Sequence, residues 1–209
     1  MEQEYMNRLD TKTETTINKS RFIAYIRRTS TDEAAKAFIS EIKKKHKDAN
    51  HNCSAYIIGE SALIQKADDD GEPSGTAGVP ILEVLKREGM YDTTVVVTRY
   101  FGGIKLGGGG LIRAYSGAAS DAVKAAGKVV KTPVIPIKIT MDYTNTSRFE
   151  HFISETDIKI KDTQYTDKVS YLIHVKEADK ETFMKRLLEI TKNTHELEEL
   201  DVIQAESAV

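Results

Sequence analysis

Apolar and polar residues alternate along several short segments of the first 131 residues, which is the pattern of half-buried strands. Phe22, Ala24 and Ile26 fall on one face of such a segment, which follows a tight turn at Asn18-Lys19. The run TTVVVTRY is instead almost unbroken in β-branched residues, as is typical of a strand buried on both faces. The predicted strands are residues 13–17, 20–26, 53–59, 62–66 and 93–100.

Three segments between these strands carry the apolar period of a helix. Thr31 is a capping residue followed by two acids, and the apolar stripe behind it ends in a lysine-rich stretch, which we interpret as a solvated helix end. We expect Ser74 or Thr76 to cap the second helix. The predicted helices are residues 31–47, 74–89 and 111–126, with a glycine-rich loop at 102–110 before the last one.

The second half of the chain follows the order βαββαβ, which is the split βαβ or ferredoxin-like pattern. Pro133 and Pro136 interrupt ladders and helices alike, so residues 131–136 are typical of a linker. We therefore predict an α+β protein of two domains, residues 1–131 and residues 135–209. The elements predicted for the second domain are strands at 135–143, 158–165, 168–175 and 198–205 and helices at 147–156 and 178–192.

Composition limits the class of protein. An apolar share of 40% is enough for packed cores, and a mean hydropathy of −0.41 without a long apolar run argues against a membrane-spanning chain. Cys53 is the single cysteine, which excludes an internal disulfide, and the polar N-terminal segment lacks the apolar core of a signal peptide. We expect a cytoplasmic protein that does not bind membranes.

The densest chemical signal lies between Thr93 and Ser120, a window with no acid, three bases and seven of the thirteen glycines. Glycines let backbone amides approach a ligand, and a helix N-terminus presents unpaired N–H groups with a partial positive charge. The spacing matches neither the Walker A nor the dinucleotide fingerprint, so tight turns and close helix–strand packing remain an equally open interpretation. The candidate anion- or nucleic-acid-binding residues are Arg99, Lys105, Gly107, Gly108, Gly109, Gly110 and Arg113.

A second polar segment, DDDGEPSGTAG at 68–78, concentrates carboxylates and hydroxyls. Its acids offer oxygen ligands to a divalent cation, but the EF-hand register fails and neighbouring side chains on one segment do not all converge. The alternative is an acidic turn in solvent whose Ser or Thr caps the next helix. We predict no metal, and the possible polar site consists of Asp69, Asp70, Glu72, Ser74 and Thr76.

His51 and Cys53 form a third combination, because alternate residues of a strand share a face and bring a base beside a thiol. No third residue that would orient the histidine is evident from the sequence, and a buried cysteine in a strand is ordinary. We therefore assign no catalytic residue and expect no cofactor.

Three segments together resemble the signature of the IMPACT/YigZ family: HNCSAYIIG at 51–59, DDDGEPSGTAGVPILEVL at 68–85 and VVVTRYFGGIKLGGGGLIRAYSGAA at 95–119. The resemblance implies an N-terminal domain of the left-handed βαβ superfold of ribosomal proteins, GHMP-type kinases and domain IV of elongation factor G. It implies a C-terminal domain like domain V of that factor. Eukaryotic relatives regulate translation by binding the activator of a stress kinase. Because bacteria lack that kinase pathway, the resemblance implies only a link of this protein to the ribosome or to RNA.

Two classes of function follow. The first is a non-enzymatic, translation-associated regulatory protein that binds RNA, the ribosome or another anionic partner through a basic, glycine-rich surface, without DNA specificity. In that case Tyr100, Phe101 or Tyr115 would stack on bases. The second is an enzyme acting on a phosphorylated small molecule, with the glycine loop as its phosphate site. A plainer alternative is a scaffold whose acidic second domain docks a protein partner.

One arrangement would separate the two main hypotheses. Convergence of Asp70, Glu72, Lys105 and Arg113 around one pocket would favour the enzyme, whereas an exposed basic strip would favour RNA binding. The charge of the chain gives RNA binding only modest support. Residues 1–131 carry 20 Lys and Arg against 17 Asp and Glu, which is a surplus of three positive charges.

Overall fold

The apolar segments of the sequence form two sheets with helices packed on them, in two separate units of the chain. The computed structural model describes residues 3–209. The first unit comprises the described residues up to Val130 together with Ala208 and Val209, and the second runs from Lys131 to Ser207. Both units combine helices with strands, so the predicted α+β class is confirmed.

The first unit is built on a five-stranded antiparallel sheet with the strand order β2-β3-β6-β4-β5. The β-branched segment that the sequence predicts as a buried strand forms the central strand β6, and seven of its eight residues are buried. The elements in chain order are β1 Met6–Asn7, β2 Thr11–Ile17, β3 Ser20–Arg28, α1 Asp32–Lys45, β4 His51–Ile58, β5 Ile64–Asp68, α2 Gly78–Arg87, β6 Thr93–Tyr100 and α3 Gly107–Ala126.

Helices cover both faces of this sheet. On one face α1 packs Phe38 and Ile42 against Ile23 and Val96 of the strands. On the other face α2 and α3 bury their apolar side chains against the alternate residues of the same strands. The start of α1 is confirmed as predicted, since the Thr31 hydroxyl accepts a hydrogen bond from the Ala34 amide at 3.1 Å.

Helix α3 begins four residues earlier than the sequence predicts. Residues 107–110 form its first turn rather than the end of a loop. Glycine is a poor helix former, but Leu111, Ala114 and Tyr115 are buried in the core and hold the helix in place, so packing outweighs propensity. The chain enters the helix through Gly107, whose φ of 70° is readily available only to glycine.

The second unit follows the predicted βαββαβ order with one further strand at its end. Four of its strands pair in the order β10 (His195–Glu199), β7 (Lys128–Met141), β9 (Val169–Lys176) and β8 (Ile160–Tyr165), all antiparallel. Its core is formed by the inward faces of β7 and β9 with Phe149 of α4 and Leu187 of α5. The elements are β7 Lys128–Met141, α4 Tyr143–Ser154, β8 Ile160–Tyr165, β9 Val169–Lys176, α5 Lys180–Thr191, β10 His195–Glu199 and β11 Ile203–Ala208.

Two predictions for the second half are wrong. Residues 131–136 are not a linker but part of β7. A strand tolerates Pro136 because this residue pairs through its carbonyl oxygen, which accepts a hydrogen bond from the Leu200 amide at 2.9 Å, so its missing N–H is not needed for that contact. The single strand predicted at 198–205 is two strands, β10 and β11, separated by residues 200–202. Among the described residues, no helix has both the length and the apolar character needed to cross a bilayer.

Candidate functional site

The glycine-rich segment starts with an anchored loop between β6 and α3. The Phe101 amide donates to Asn50 Oδ1 at 2.8 Å, and the Gly102 amide donates to Ser20 Oγ at 3.2 Å. A Cβ at Gly102 would lie 2.0 Å from the backbone of Lys19, so the β2–β3 turn leaves room only for glycine there. At this position the glycine serves close packing.

The first turn of α3 is different, because nothing in the described chain requires glycine at its second and third positions. Gly108 and Gly109 are exposed, a Cβ at Gly108 would meet no atom within 4 Å, and one at Gly109 would approach only Arg113 Nη1 at 3.6 Å. Leu106, at the cap position, makes no side-chain cap bond. The space around these two Cβ positions is therefore open, and because N–H groups at a helix start have no partner within the helix, a ligand can approach this turn closely.

Two cations and one aromatic residue flank this turn in sequence. Lys105 and Arg113 are exposed, and neither side chain forms a hydrogen bond or an ion pair with any residue that the structure describes. Phe101 is 45% exposed. The first turn itself contains no acidic residue. We call Phe101, Lys105, the amides of residues 107–109 and Arg113 the amide surface.

Arg99 does not belong to this surface, contrary to the expectation from the sequence. It is only 6% exposed, and its guanidinium donates to Glu72 Oε1 at 2.6 Å and to Ser20 Oγ at 3.4 Å. The reason is that β6 is covered by helices on both faces, so its side chains point into packed protein. Arg99 is therefore an internal partner of Glu72.

The other two aromatic candidates are less exposed than Phe101, and both use their hydroxyl groups inside the protein. Tyr115 is fully buried and donates its hydroxyl proton to Glu72 Oε1 at 2.8 Å. The Tyr100 hydroxyl is hydrogen-bonded to His46 Nδ1 at 2.8 Å. Of the three aromatic residues proposed for base stacking, only Phe101 offers an exposed ring.

Asp69 organises the acidic segment from within. Its carboxylate accepts hydrogen bonds from the amides of Gly75, Ala77 and Gly78 at 2.7, 3.0 and 2.8 Å. Burial acts to raise the pKa of Asp69, but the three amide donors outweigh it and hold the pKa below its usual value. Asp69 thereby occupies the N-terminus of α2.

The prediction that Ser74 or Thr76 caps α2 is therefore wrong. Ser74 is exposed, and the Thr76 hydroxyl donates to the Pro73 carbonyl oxygen at 2.6 Å instead. The chain turns back between Asp69 and Ala77, and the Asp69 carboxylate therefore reaches the amides at the helix start.

The remaining acids of the segment point to separate partners. Asp70 accepts from Lys43 Nζ at 2.6 Å and from the Asn52 amide at 2.6 Å, whereas Glu72 binds Arg99 and Tyr115. Neither carboxylate contacts Lys105 or Arg113. Within residues 3–209 no three His, Cys, Asp or Glu side chains converge to hold a metal ion. The acids and bases named from the sequence therefore do not converge on one pocket.

His51 and Cys53 bind the same acidic segment. His51 Nδ1 donates to the Asp70 carbonyl oxygen at 2.9 Å, and Cys53 Sγ donates to the Asp69 carbonyl oxygen at 3.0 Å. Burial raises the pKa of the Cys53 thiol to about 12, so the sulfur stays protonated near neutral pH. The pair supports the backbone of the segment and does not form a thiol nucleophile with its base.

Comparison with known proteins gives one consistent result. The Impact N-terminal domain family matches residues 18–123, and a domain of unknown function, DUF1949, matches residues 139–194. IMPACT family member YvyE of Bacillus subtilis is 45% identical over 196 residues, which cover 94% of this chain and 90% of the relative. IMPACT family member YigZ of Escherichia coli is 36% identical over 183 residues, covering 87% and 90%.

A eukaryotic relative and a solved structure extend the comparison. The protein IMPACT homolog of Saccharomyces cerevisiae is 36% identical over 93 residues. This segment covers 42% of this chain and 35% of that protein. A crystal structure described only as that of a hypothetical protein is 32% identical, with a TM-score of 0.60 over 96% of this chain and 98% of the other. All residues of the amide surface lie within the segment that matches the Impact N-terminal domain.

Proposed function

The chain belongs to the IMPACT family, and on that basis we propose that it is a translation-associated regulatory protein that binds RNA, free or on the ribosome, through the amide surface. The proposal extends to its architecture, with a first unit of the left-handed βαβ superfold of elongation factor G domain IV. The second unit is then the ferredoxin-like counterpart of domain V of that factor.

The observation that carries the proposal is the exposed first turn of α3 with unpaired cations beside it. Free N–H groups and the helix dipole favour a phosphate oxygen, while Lys105 and Arg113 supply the charge that attracts a polyanion. The ring of Phe101 is placed to stack on an unpaired base, as aromatic side chains do in proteins that bind single strands.

An enzyme acting on a phosphorylated small molecule would use the same amides and remains the alternative function. It requires an acid or a base near the reacting phosphoryl group. Asp70 and Glu72, which would supply it, are committed to Lys43 and Arg99. RNA binding needs no such group, and it therefore accounts for the observed side chains more fully.

Charge reversal tests the proposed function. We expect the double variant Lys105→Glu/Arg113→Glu to bind a single-stranded RNA oligonucleotide more weakly by about tenfold or more at low salt, because two phosphate contacts become repulsive. The slope of log K against log salt should become shallower by about 1.4, the value for two phosphates on a single strand. Fluorescence anisotropy measures the affinity, and co-sedimentation measures ribosome association.

Lys124→Glu is the matched control, since Lys124 is exposed near the other end of α3 and forms no ion pair with a described residue. Its affinity for RNA should stay within about twofold of the wild-type value, a difference of less than half a kcal/mol. An unchanged affinity in the folded double variant would remove the amide surface as the binding site. Wild-type protein that binds neither RNA nor ribosomes at low salt would end the proposal itself.

A further inference from the structure

A groove lies on the face of the first sheet opposite to α2 and α3, between α1 and the edge strand β5. Its volume is about 580 Å³, which is within the range of small-molecule sites. Ile39 from α1 and Ala67 from β5 line it with apolar surface, and the buried side chain of Tyr56 from β4 lies at its base. The amide surface is formed by the start of α3, so the groove is a separate place in the fold.

The sequence pattern of α1 explains why this groove is basic. Residues 36, 40, 43, 44 and 47 are spaced as neighbours along one side of a helix, and four of them are lysines. A fifth lysine comes from β5. The lysines that line the groove are Lys36, Lys43, Lys44, Lys47 and Lys66.

Three of these lysines are held in place by carboxylates. Asp32 pairs with Lys36 at 2.5 Å and with Lys66 at 3.7 Å. Lys43 is bound by Asp70 at 2.6 Å and by Asp68 at 3.2 Å. These contacts fix the ammonium groups before any ligand arrives, which lowers the entropic cost of binding.

The other two lysines are free. Lys44 and Lys47 form no hydrogen bond or ion pair with any residue in the described part of the chain. Four carboxylates act on the groove, namely the three that pair with its lysines and Glu33 beside Lys36, so its five lysines leave a surplus of one positive charge. An anion is therefore the chemical complement of this surface, and lysine binds phosphate as a point charge.

The positions of the carboxylates limit the size of that anion. Asp32 lies with Lys36 at the start of α1, and Asp68 and Asp70 lie with Lys43 seven residues further, about 10 Å along the helix axis. A continuous polyanion along the groove would pass both sets of carboxylates, whereas a compact ligand can keep its phosphates on Lys44 and Lys47, beyond Lys43.

We propose that this lysine groove binds a small phosphorylated ligand of nucleotide size, with its phosphates on the lysines and its apolar or planar body on Ile39 and Ala67. The site is independent of the RNA-binding function proposed for the amide surface. It gives the protein a means to respond to a soluble metabolite.

Calorimetric titration with ADP, pyrophosphate and adenosine tests this proposal. We expect saturable binding of ADP, weaker binding of pyrophosphate and none of adenosine at the same concentrations, because the lysines hold the phosphates and the apolar surface adds to them. The variant Lys44→Gln/Lys47→Gln should weaken ADP binding by about tenfold or more, since two charge-assisted contacts are lost. It should stay folded, because both side chains are exposed and unpaired within the described chain.

Lys45→Gln is the matched control. Lys45 neighbours Lys44 in sequence, but its ammonium lies 5.0 Å from the centre of the Tyr25 ring and outside the groove. ADP binding by this variant should stay within about twofold of wild type, and amide shifts on adding ADP should centre on Ser40, Tyr56 and Ala67.

Three outcomes would overturn the proposal. The first is wild-type protein that binds neither ADP nor pyrophosphate. The second is a set of ADP-induced amide shifts centred on residues 105–113, or a loss of ADP affinity in the Lys45→Gln control as large as that in Lys44→Gln/Lys47→Gln. The third is a Lys44→Gln/Lys47→Gln variant that loses RNA binding but keeps ADP binding, which would make the groove part of an RNA surface. Failure of RNA binding alone leaves the ADP result unaffected, so the two proposals are tested separately.

Discussion

Glu72 is almost completely removed from solvent, and its carboxylate is shared by Arg99 at 2.6 Å and the Tyr115 hydroxyl at 2.8 Å. These three residues belong to the loop before α2, to β6 and to α3, so a single carboxylate joins the parts of the chain that surround the amide surface. Burying a lone charge is costly, and the network is therefore stable only when all of its members are present.

Removing this carboxylate should destabilise the protein strongly. We expect Glu72→Ala to lower the free energy of unfolding by about 3–5 kcal/mol, because Arg99 is then left buried without its counter-charge. Urea denaturation followed by circular dichroism measures the change. Glu14→Ala, which removes an exposed partner 3.7 Å from Arg21, should cost about 1 kcal/mol or less. A similar small loss in both variants would contradict the role given to Glu72.

The residues of this network could be selected from the sequence, but their pairing could not. Glu72 and Arg99 both appear among the candidates, one as part of a polar site and the other as a surface cation. The contact between Glu72 and Arg99 depends on how β4 and β6 pair. In the observed register His51, the first residue of β4, lies opposite Arg99. Register is decided by side chains far apart in the chain, and a local pattern does not contain it.

The start of α2 shows the same limit at the level of an element. The cap of α1 is predictable because the Thr31 hydroxyl and the Ala34 amide that donates to it are only three residues apart in sequence. The acceptor at α2 is Asp69, eight residues before Ala77, and it reaches the helix only because the intervening segment turns back. The first turn of α3 was missed for a related reason, since local propensity disfavours glycine and burial of the later turns decides the outcome.

Asp69 should contribute a pH-dependent part of the stability. We expect Asp69→Ala to lower the free energy of unfolding by about 1–2 kcal/mol at pH 7, because three amides at the start of α2 lose their acceptor. The folded-state pKa lies below the ordinary value of 3.8, so this contribution is present above that pH and disappears as the pH falls further.

Denaturation at several pH values tests this expectation, and the difference between wild type and Asp69→Ala should shrink below pH 3.8. Ser74→Ala is the control, because the Ser74 side chain has no partner among the described residues and its loss should leave stability unchanged. A larger loss in Ser74→Ala than in Asp69→Ala would restore the capping role predicted from the sequence.

At the level of the whole molecule, two separate cores account for the class of fold that patterning predicts. Charge along the sequence was less informative, because a surplus of three over the first 131 residues does not show where the charges lie. The fold distributes them on opposite faces of the first sheet, with the amide surface at the start of α3 and the lysine groove beside α1. The stretch interpreted as a solvated helix end supplies three lysines to that groove.

The central claim is that the amides at the start of α3 contact an anionic ligand directly. The variant Gly108→Ala/Gly109→Ala tests it, because the added methyl groups have room in the free protein but would occupy the space of the ligand. Gly117→Ala is the control, since Gly117 is exposed in the same helix with nothing near its Cβ position. Alanine there should stabilise the helix by about 1 kcal/mol and leave binding unchanged.

The decisive measurement is the affinity of these two variants for single-stranded RNA by fluorescence anisotropy at low salt. We expect the Gly108→Ala/Gly109→Ala protein to remain folded and to bind about tenfold more weakly or not at all, while Gly117→Ala binds like wild type. Wild-type affinity in the folded double variant would contradict direct contact between the ligand and these amides.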